Sequence, residues 1–132
     1  MSDSPGATTT ATSAYELIGG APSVREAVDR LYTYLLADEQ LAGYFDGIDL
    51  PRLKSHMVML LTHVLGGPTG YPVENLGPAH ARLNISTAHY QRVAQYAAGV
   101  LFELHVPMDV ILQVGQVLAS VQPLIVAEPA AA

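Results

Sequence analysis

Residues 66–78, G-G-P-T-G-Y-P-V-E-N-L-G-P, hold four glycines and three prolines in thirteen positions. Glycine raises the entropic cost of ordering and proline removes an amide donor, so no regular element survives that composition. On either side of the segment the apolar spacing is helical. The chain must therefore fold as helices split by one long loop. Matched up-and-down bundles have short connections, so that architecture is disfavoured. A loop of this length inside a compact domain usually has a function.

The helices can be placed from their stripes and their punctuation. After Gly19 and Gly20, Pro22 suits a first helical turn, and Val24, Ala27, Val28, Leu31 and Leu35 form one stripe ending near Ala37. Asp38 suits the cap of a short turn leading to Tyr44, Phe45, Asp46 and Gly47. Asp49 is a plausible N-cap, with Pro51 tolerated just inside. Leu53, Met57, Leu60 and Val64 then recur at helical spacing until Gly66. Beyond the loop a short helical run is expected over 79–83. Ser86 caps a long helix whose inner face is Tyr90, Val93, Ala97, Val100, Leu101 and Leu104. Pro107 opens the last helix, with Val110, Ile111, Val114, Val117, Leu118 and Val121 inward. No alternating run is long enough for a sheet, so the fold class is all-α.

Composition narrows the function. Half of the 132 residues are hydrophobic and 14% are charged, which suits one domain with a sizeable core. Six basic against twelve acidic residues give a net charge of −6, against the cationic footprint a nucleic-acid binder needs. Lys54 is the single lysine, so there is no polybasic patch for a membrane surface. Without cysteine there is no disulfide, thiol catalysis, iron–sulfur cluster or cysteine zinc site. Residues 1–13 are small and polar, with neither the basic start nor the apolar run of a targeting sequence, and read as a disordered leader. The domain is expected over 14–127, with a disordered tail at 128–132. The cytoplasm is the default compartment. Residues 110–127 carry no charge, but Gln113, Gln116, Gln122 and Pro123 interrupt them and basic flanks are missing. They read as a core helix rather than a membrane span.

Five histidines are the most informative polar groups: His56, His63, His80, His89 and His105. No two are three or four apart, so the usual helical zinc clamp is absent. No G-x-S-x-G, phosphate loop or G-x-G-x-x-G occurs. On an ideal helix His56 lies about 60° from Leu53 and about 100° from Met57, at the border of the apolar stripe. A flank histidine and a pocket histidine both fit that position. His80 follows the Gly/Pro loop, where a hydrated surface role is equally open. His63, His89 and His105 are expected in solvent. Tyr32 and Tyr34 flank one stripe on opposite sides, and spacing leaves open which is buried. Met57 and Met59 read as gap-filling core residues.

Taken in order, several segments resemble the truncated haemoglobins of group I, short globins with a two-on-two helical sandwich. They are Y-E-L-I-G-G at 15–20, L-Y-T-Y-L-L-A-D-E-Q-L at 31–41, Y-F-D-G at 44–47, L-G-G-P at 65–68 and A-H-A-R-L-N-I at 79–85. The resemblance runs over 15–126 and implies a non-covalent haem b. It implies that His80 is the proximal iron ligand and that the preceding loop replaces the usual proximal helix. Phe45 would pack on the porphyrin. Tyr32 would hydrogen-bond a bound gas, with Tyr34 pointing away. Leu53, His56 and Met57 fall among the distal pocket residues, and His56 falls where some hexacoordinate cyanobacterial and algal relatives bind iron from the distal side. Lys54, Arg52 and Arg82 are candidates to meet the haem propionates.

Two departures stand out. Many relatives carry a glutamine in place of Met57, and a thioether cannot donate a hydrogen bond. Some cyanobacterial relatives attach haem covalently through a histidine in the last helix, and this chain has no histidine after His105. The resemblance implies reversible binding of oxygen, nitric oxide or carbon monoxide, with possible nitric oxide dioxygenation served by a reductase. Iron would be held by His80 and His56 at rest. Electron transfer or redox and gas sensing is the alternative, since two imidazole ligands leave no open site. A haem-free interaction module is a third reading. A monomer or weak dimer without nucleic-acid or membrane partners is expected.

Overall fold

The structure is a computed structural model that describes residues 13–68, 80 and 83–126. The expected leader, most of the Gly/Pro loop, Arg82 and the tail lie outside the described residues. Five α-helices are described: α1 Ala14–Leu17, α2 Ala21–Ala37, α3 Leu50–Val64, α4 Thr87–Glu103 and α5 Met108–Ile125. A 3-10 turn, Ala42–Phe45, lies between α2 and α3. No strand occurs among the described residues. The one β-type contact is an isolated parallel bridge from Ile85 to Val126.

Local chemistry sets the boundaries. Ser13 and Glu16 form a reciprocal capping box on α1. The Asp49 carboxylate accepts from the Arg52 amide at 3.2 Å, and the Ser86 hydroxyl accepts from the His89 amide at 3.1 Å. Helix α3 stops where Gly66 takes the left-handed conformation, φ 81°. The next residue must also be glycine. A Cβ at Gly67 would sit 2.6 Å from the Thr62 methyl and 2.8 Å from the Tyr15 ring. The Tyr15 amide donates to the Leu65 carbonyl at 2.9 Å, so α1 is latched to the end of α3 just before the loop.

Helix α2 packs on both α3 and α4, and α4 packs on α5. The two pairs form a two-on-two sandwich. Its core is the interlocked set of Val24, Val28, Leu35, Leu41, Leu101 and Val114, together with the buried Tyr32. Val110, Ile111 and Val114 are the buried face of α5. By length and composition α5 could cross a membrane, and 17% of it is buried in the fold; the buried face packs against α4, while the rest of the helix is more open than the expected core helix. The Ile85–Val126 bridge ties the segment leading into α4 to the end of α5.

Candidate functional site

The helices do not close completely on one another. Between them lies an apolar cavity of about 90 Å³. Val28 of α2, Met57 and Leu61 of α3, Val93 and Ala97 of α4, and Leu118 of α5 are among its walls. Tyr90 supplies the phenol in that wall, and its hydroxyl is already spent on the Leu118 carbonyl at 2.6 Å. The inward stripes expected on α4 and α5 are the ones that line this space. Leu53 differs: it packs against the core but does not reach the cavity wall. It lies a full turn of α3 before Met57, toward the 3-10 turn.

Tyr32 and Tyr34, two residues apart, separate completely. Tyr32 is 2% exposed and stands edge-on to Phe45, with ring centroids 5.6 Å apart. Burial pushes its phenol up to about 12, so it remains a protonated donor at physiological pH. Among the described residues its hydroxyl has no hydrogen-bond partner. A buried unpaired hydroxyl costs about 1–3 kcal/mol. Leu31, its neighbour on α2, lines the cavity. Tyr34 faces outward and donates to the Glu103 carboxylate at 2.6 Å.

His80 is half-buried in helical backbone. His56 is exposed on α3, one residue from Met57 in the cavity wall. Lys54 is engaged by Asp29 at 3.3 Å, whereas Arg52 is exposed and makes no ion pair among the described residues. His63 and His105 are exposed, as expected. His89 is not left to solvent: its Nδ1 lies 2.6 Å from the Tyr44 hydroxyl and its ring packs edge-on to that tyrosine. The spacing on α4 gave no sign of this, because Tyr44 arrives from 45 positions away.

A polar seam between α2 and α4 also escaped sequence reasoning. Asp38 does cap its turn, accepting from the Gln40 amide at 2.8 Å. Its carboxylate is also buried, and it accepts from Arg92 Nε and from the Tyr96 hydroxyl, the latter at 2.7 Å. Those bonds, Tyr96 first, hold Asp38 down at about 2. The legible hint was Arg92 and Tyr96 four residues apart on one helix face.

The described residues fit a large, flat, apolar prosthetic group. The cavity walls are apolar, and the half-buried His80 carries an imidazole, a side chain that serves as an axial haem ligand. An all-α fold with such an apolar slot defines a cofactor-holding helical protein. The bacterial-like globin family matches residues 13–118, and the chain belongs to it. Its relatives place it in the group 1 truncated haemoglobins. The group 1 truncated haemoglobin of Mycolicibacterium paratuberculosis is 34% identical over 85% of this chain and 80% of its own length. That of Synechocystis is 31% identical over 78% and 86%. The crystal structure of Tetrahymena pyriformis truncated haemoglobin, in its Fe(III) form, superposes with a TM-score of 0.81 at 28% identity, covering 89% of this chain and all of that one. The 2/2 haemoglobin of Synechococcus, in a cyanomet state with covalently attached haem, gives 0.75 at 31% identity, covering 84% and 94%. The chain is a haem-binding globin, and its cofactor is non-covalent haem b.

Proposed function

We propose that the protein binds diatomic gases reversibly at haem iron held by His80, with His56 as a second, displaceable ligand at rest. The observation that carries this reading is the buried Tyr32 phenol, which has no hydrogen-bond partner among the described residues, on the helix whose Val28 and Leu31 line the apolar cavity. Haem supplies the metal centre at which the gas is held. The chain's own residues do the rest. His80 tethers the cofactor through its imidazole. The apolar walls of Val93, Ala97 and Leu118 exclude water. Tyr32 donates its hydroxyl proton in a hydrogen bond to a polar gas ligand, and Phe45 keeps that ring upright. Met57 contributes shape without a second donor. Arg52, with Lys54 and Arg82, meets the propionates.

His56 sits on the solvent side of α3, so ligation by it requires its side chain or that helix to swing inward. A gas must wait for the reverse motion, and apparent affinity falls by the fraction of open protein. Nitric oxide dioxygenation is the proposed reaction, with electrons from a reductase.

Absorption spectra of the ferric and ferrous protein without added ligand test the proposal. A low-spin spectrum in both states, turned high-spin by His56→Ala, is the expected result. A high-spin ferrous wild type would overturn the role of His56 and leave His80 as the protein ligand. His80→Ala should lose haem or hold it loosely. An unchanged spectrum and retention in that variant would overturn the proximal assignment.

A further inference from the structure

The gas-binding reading leaves the outer edge of α2 and α4 unused. There the Tyr34 and Tyr96 rings stack with centroids 5.9 Å apart and planes 9° from parallel. Each phenol already donates to its own carboxylate: Tyr34 to Glu103 at 2.6 Å and Tyr96 to Asp38 at 2.7 Å. Arg92 anchors Asp38, and Arg30 anchors Glu103 at 3.6 Å, so both acceptors are held in place. The pair borders an open groove that Gln95 and Gly99 complete. Val100 forms part of this groove and also part of the haem cavity wall, so one side chain separates the two spaces.

We propose that the stacked Tyr34–Tyr96 pair is a one-electron redox site that passes oxidising equivalents from the cofactor cavity to small phenolic or enediol reductants in the groove. The inference rests on the haem reading above. The chemistry follows from the hydrogen bonds. Removing an electron from a phenol makes it a far stronger acid than any carboxylic acid. A phenol already bonded to a carboxylate can therefore shed its proton in the same event. A haem held in the cavity and oxidised by a peroxide would supply the one-electron oxidant, to which the phenol would give up one electron. The proton moves to Asp38 or Glu103, leaving a neutral phenoxyl radical. A catechol or hydroquinone in the groove then returns one electron. The carboxylic acid returns the proton to the phenol oxygen, and the reductant releases its own proton to water. The parallel rings sit close enough for the electron vacancy to hop from one phenol to the other. Tyr32 and Tyr90 are poorer sites. Tyr32 has no acceptor among the described residues, and Tyr90 donates to a neutral carbonyl, a weaker base.

The test is freeze-quench electron paramagnetic resonance of the ferric holoprotein after hydrogen peroxide. A tyrosyl signal is expected, reduced at least fivefold in the double variant Tyr34→Phe/Tyr96→Phe. Asp38→Asn should slow its appearance about tenfold while haem content stays unchanged. Adding a Cβ at Gly99 meets nothing within 4 Å, so Gly99→Leu should fold and cover the groove. It should slow quenching of the radical by hydroquinone about tenfold. A full signal in the double variant would place the radical on another tyrosine and overturn the proposal. Quenching unaffected by Gly99→Leu would overturn the groove as the reductant site. A second arm keeps the two readings apart. The protein, with cyanide added to block any haem it holds, is oxidised by a ruthenium photo-oxidant with persulfate as electron acceptor, and dityrosine or other oxidation at positions 34 and 96 is mapped by mass spectrometry. If peroxide fails to react for want of haem but these positions are still the ones modified, the haem reading fails and the tyrosine pair stands. Modification spread evenly over the tyrosines would overturn the pair.

Discussion

Helix α4 has two faces of opposite chemistry. Val93, Ala97 and Val100 look into the cavity, while Arg92, Tyr96 and Glu103 look toward the outer edge of α2. The polar seam is finished by the chain alone: Asp38 has Arg92, Tyr96 and the Gln40 amide, and Tyr34 has Glu103. The apolar face is not finished. It borders space that no side chain fills, and the nearby Tyr32 hydroxyl lacks a partner among the described residues. Empty space forfeits dispersion contacts along its whole lining. One face thus stabilises the fold without help, and the other gains its full stability when the cofactor fills it.

The largest expected effect separates the two faces directly. Removing haem should lower stability by about 4 kcal/mol relative to the protein with free haem at a thousandfold of its Kd. Hydrogen-exchange protection should fall on the cavity-facing turns of α3 and α5 and persist in α2 and α4 near Asp38. Uniform loss of protection would show that the faces are not independent. Thermal melts of two leucine variants make the next comparison. Leu35→Ala, in the closed core away from the cavity, should cost about 2–5 kcal/mol with or without haem. Leu61→Ala, in the cavity wall, should cost less in the haem-free protein than in the holoprotein. Equal costs in both states would argue against haem packing on Leu61.

The seam should reveal itself through pH. Asp38 titrates near 2 in the fold against an ordinary value of 3.8. A depressed carboxylate contributes stability that is complete above the ordinary value and is lost as pH falls from about 4 toward 2. The groups facing it are Arg92 and Tyr96, and neither titrates in that window. Asp38→Asn should therefore be less stable at neutral pH and show a shallower acid-side decline. A variant with the wild-type slope below pH 4 would remove Asp38 from the acid transition.

What the sequence made legible follows interaction range. The starts at Asp49 and Ser86 are readable because each cap bonds the amide three residues on, and those at Pro22 and Gly66 because backbone preference is a property of the residue itself. The inward stripes of α4 and α5 were readable because period alone sets them. The seam was not, since Asp38 meets Arg92 across 54 positions and Tyr96 across 58. His89 was assigned to solvent for the same reason. The site divides likewise. Spacing left Tyr32 and Tyr34 equivalent, and packing against Phe45 broke the tie. His80 entered as a ligand through the family resemblance, because nothing in its local sequence distinguishes a ligand from a surface imidazole.

The smallest effect falls on the single phenol that links the two kinds of chemistry. Tyr32→Phe removes a hydroxyl that is buried and unpaired, so the haem-free protein should be as stable or slightly more stable. In the holoprotein the same change removes the donor to the gas. A lost hydrogen bond of about 0.5–1.5 kcal/mol corresponds to oxygen leaving about two to thirteen times faster. Met57→Gln should act in the opposite direction, because an amide at that wall position adds a donor where the thioether has none. Its effect on oxygen dissociation should be a slowing within the same range. The dissociation step is best measured directly by ligand replacement, since exchange of His56 alters association and apparent affinity but not the departure of a gas already held. Oxygen leaving at the wild-type rate from both variants would mean that neither side chain meets the ligand. The buried phenol would then be a cost of the fold with no return in function.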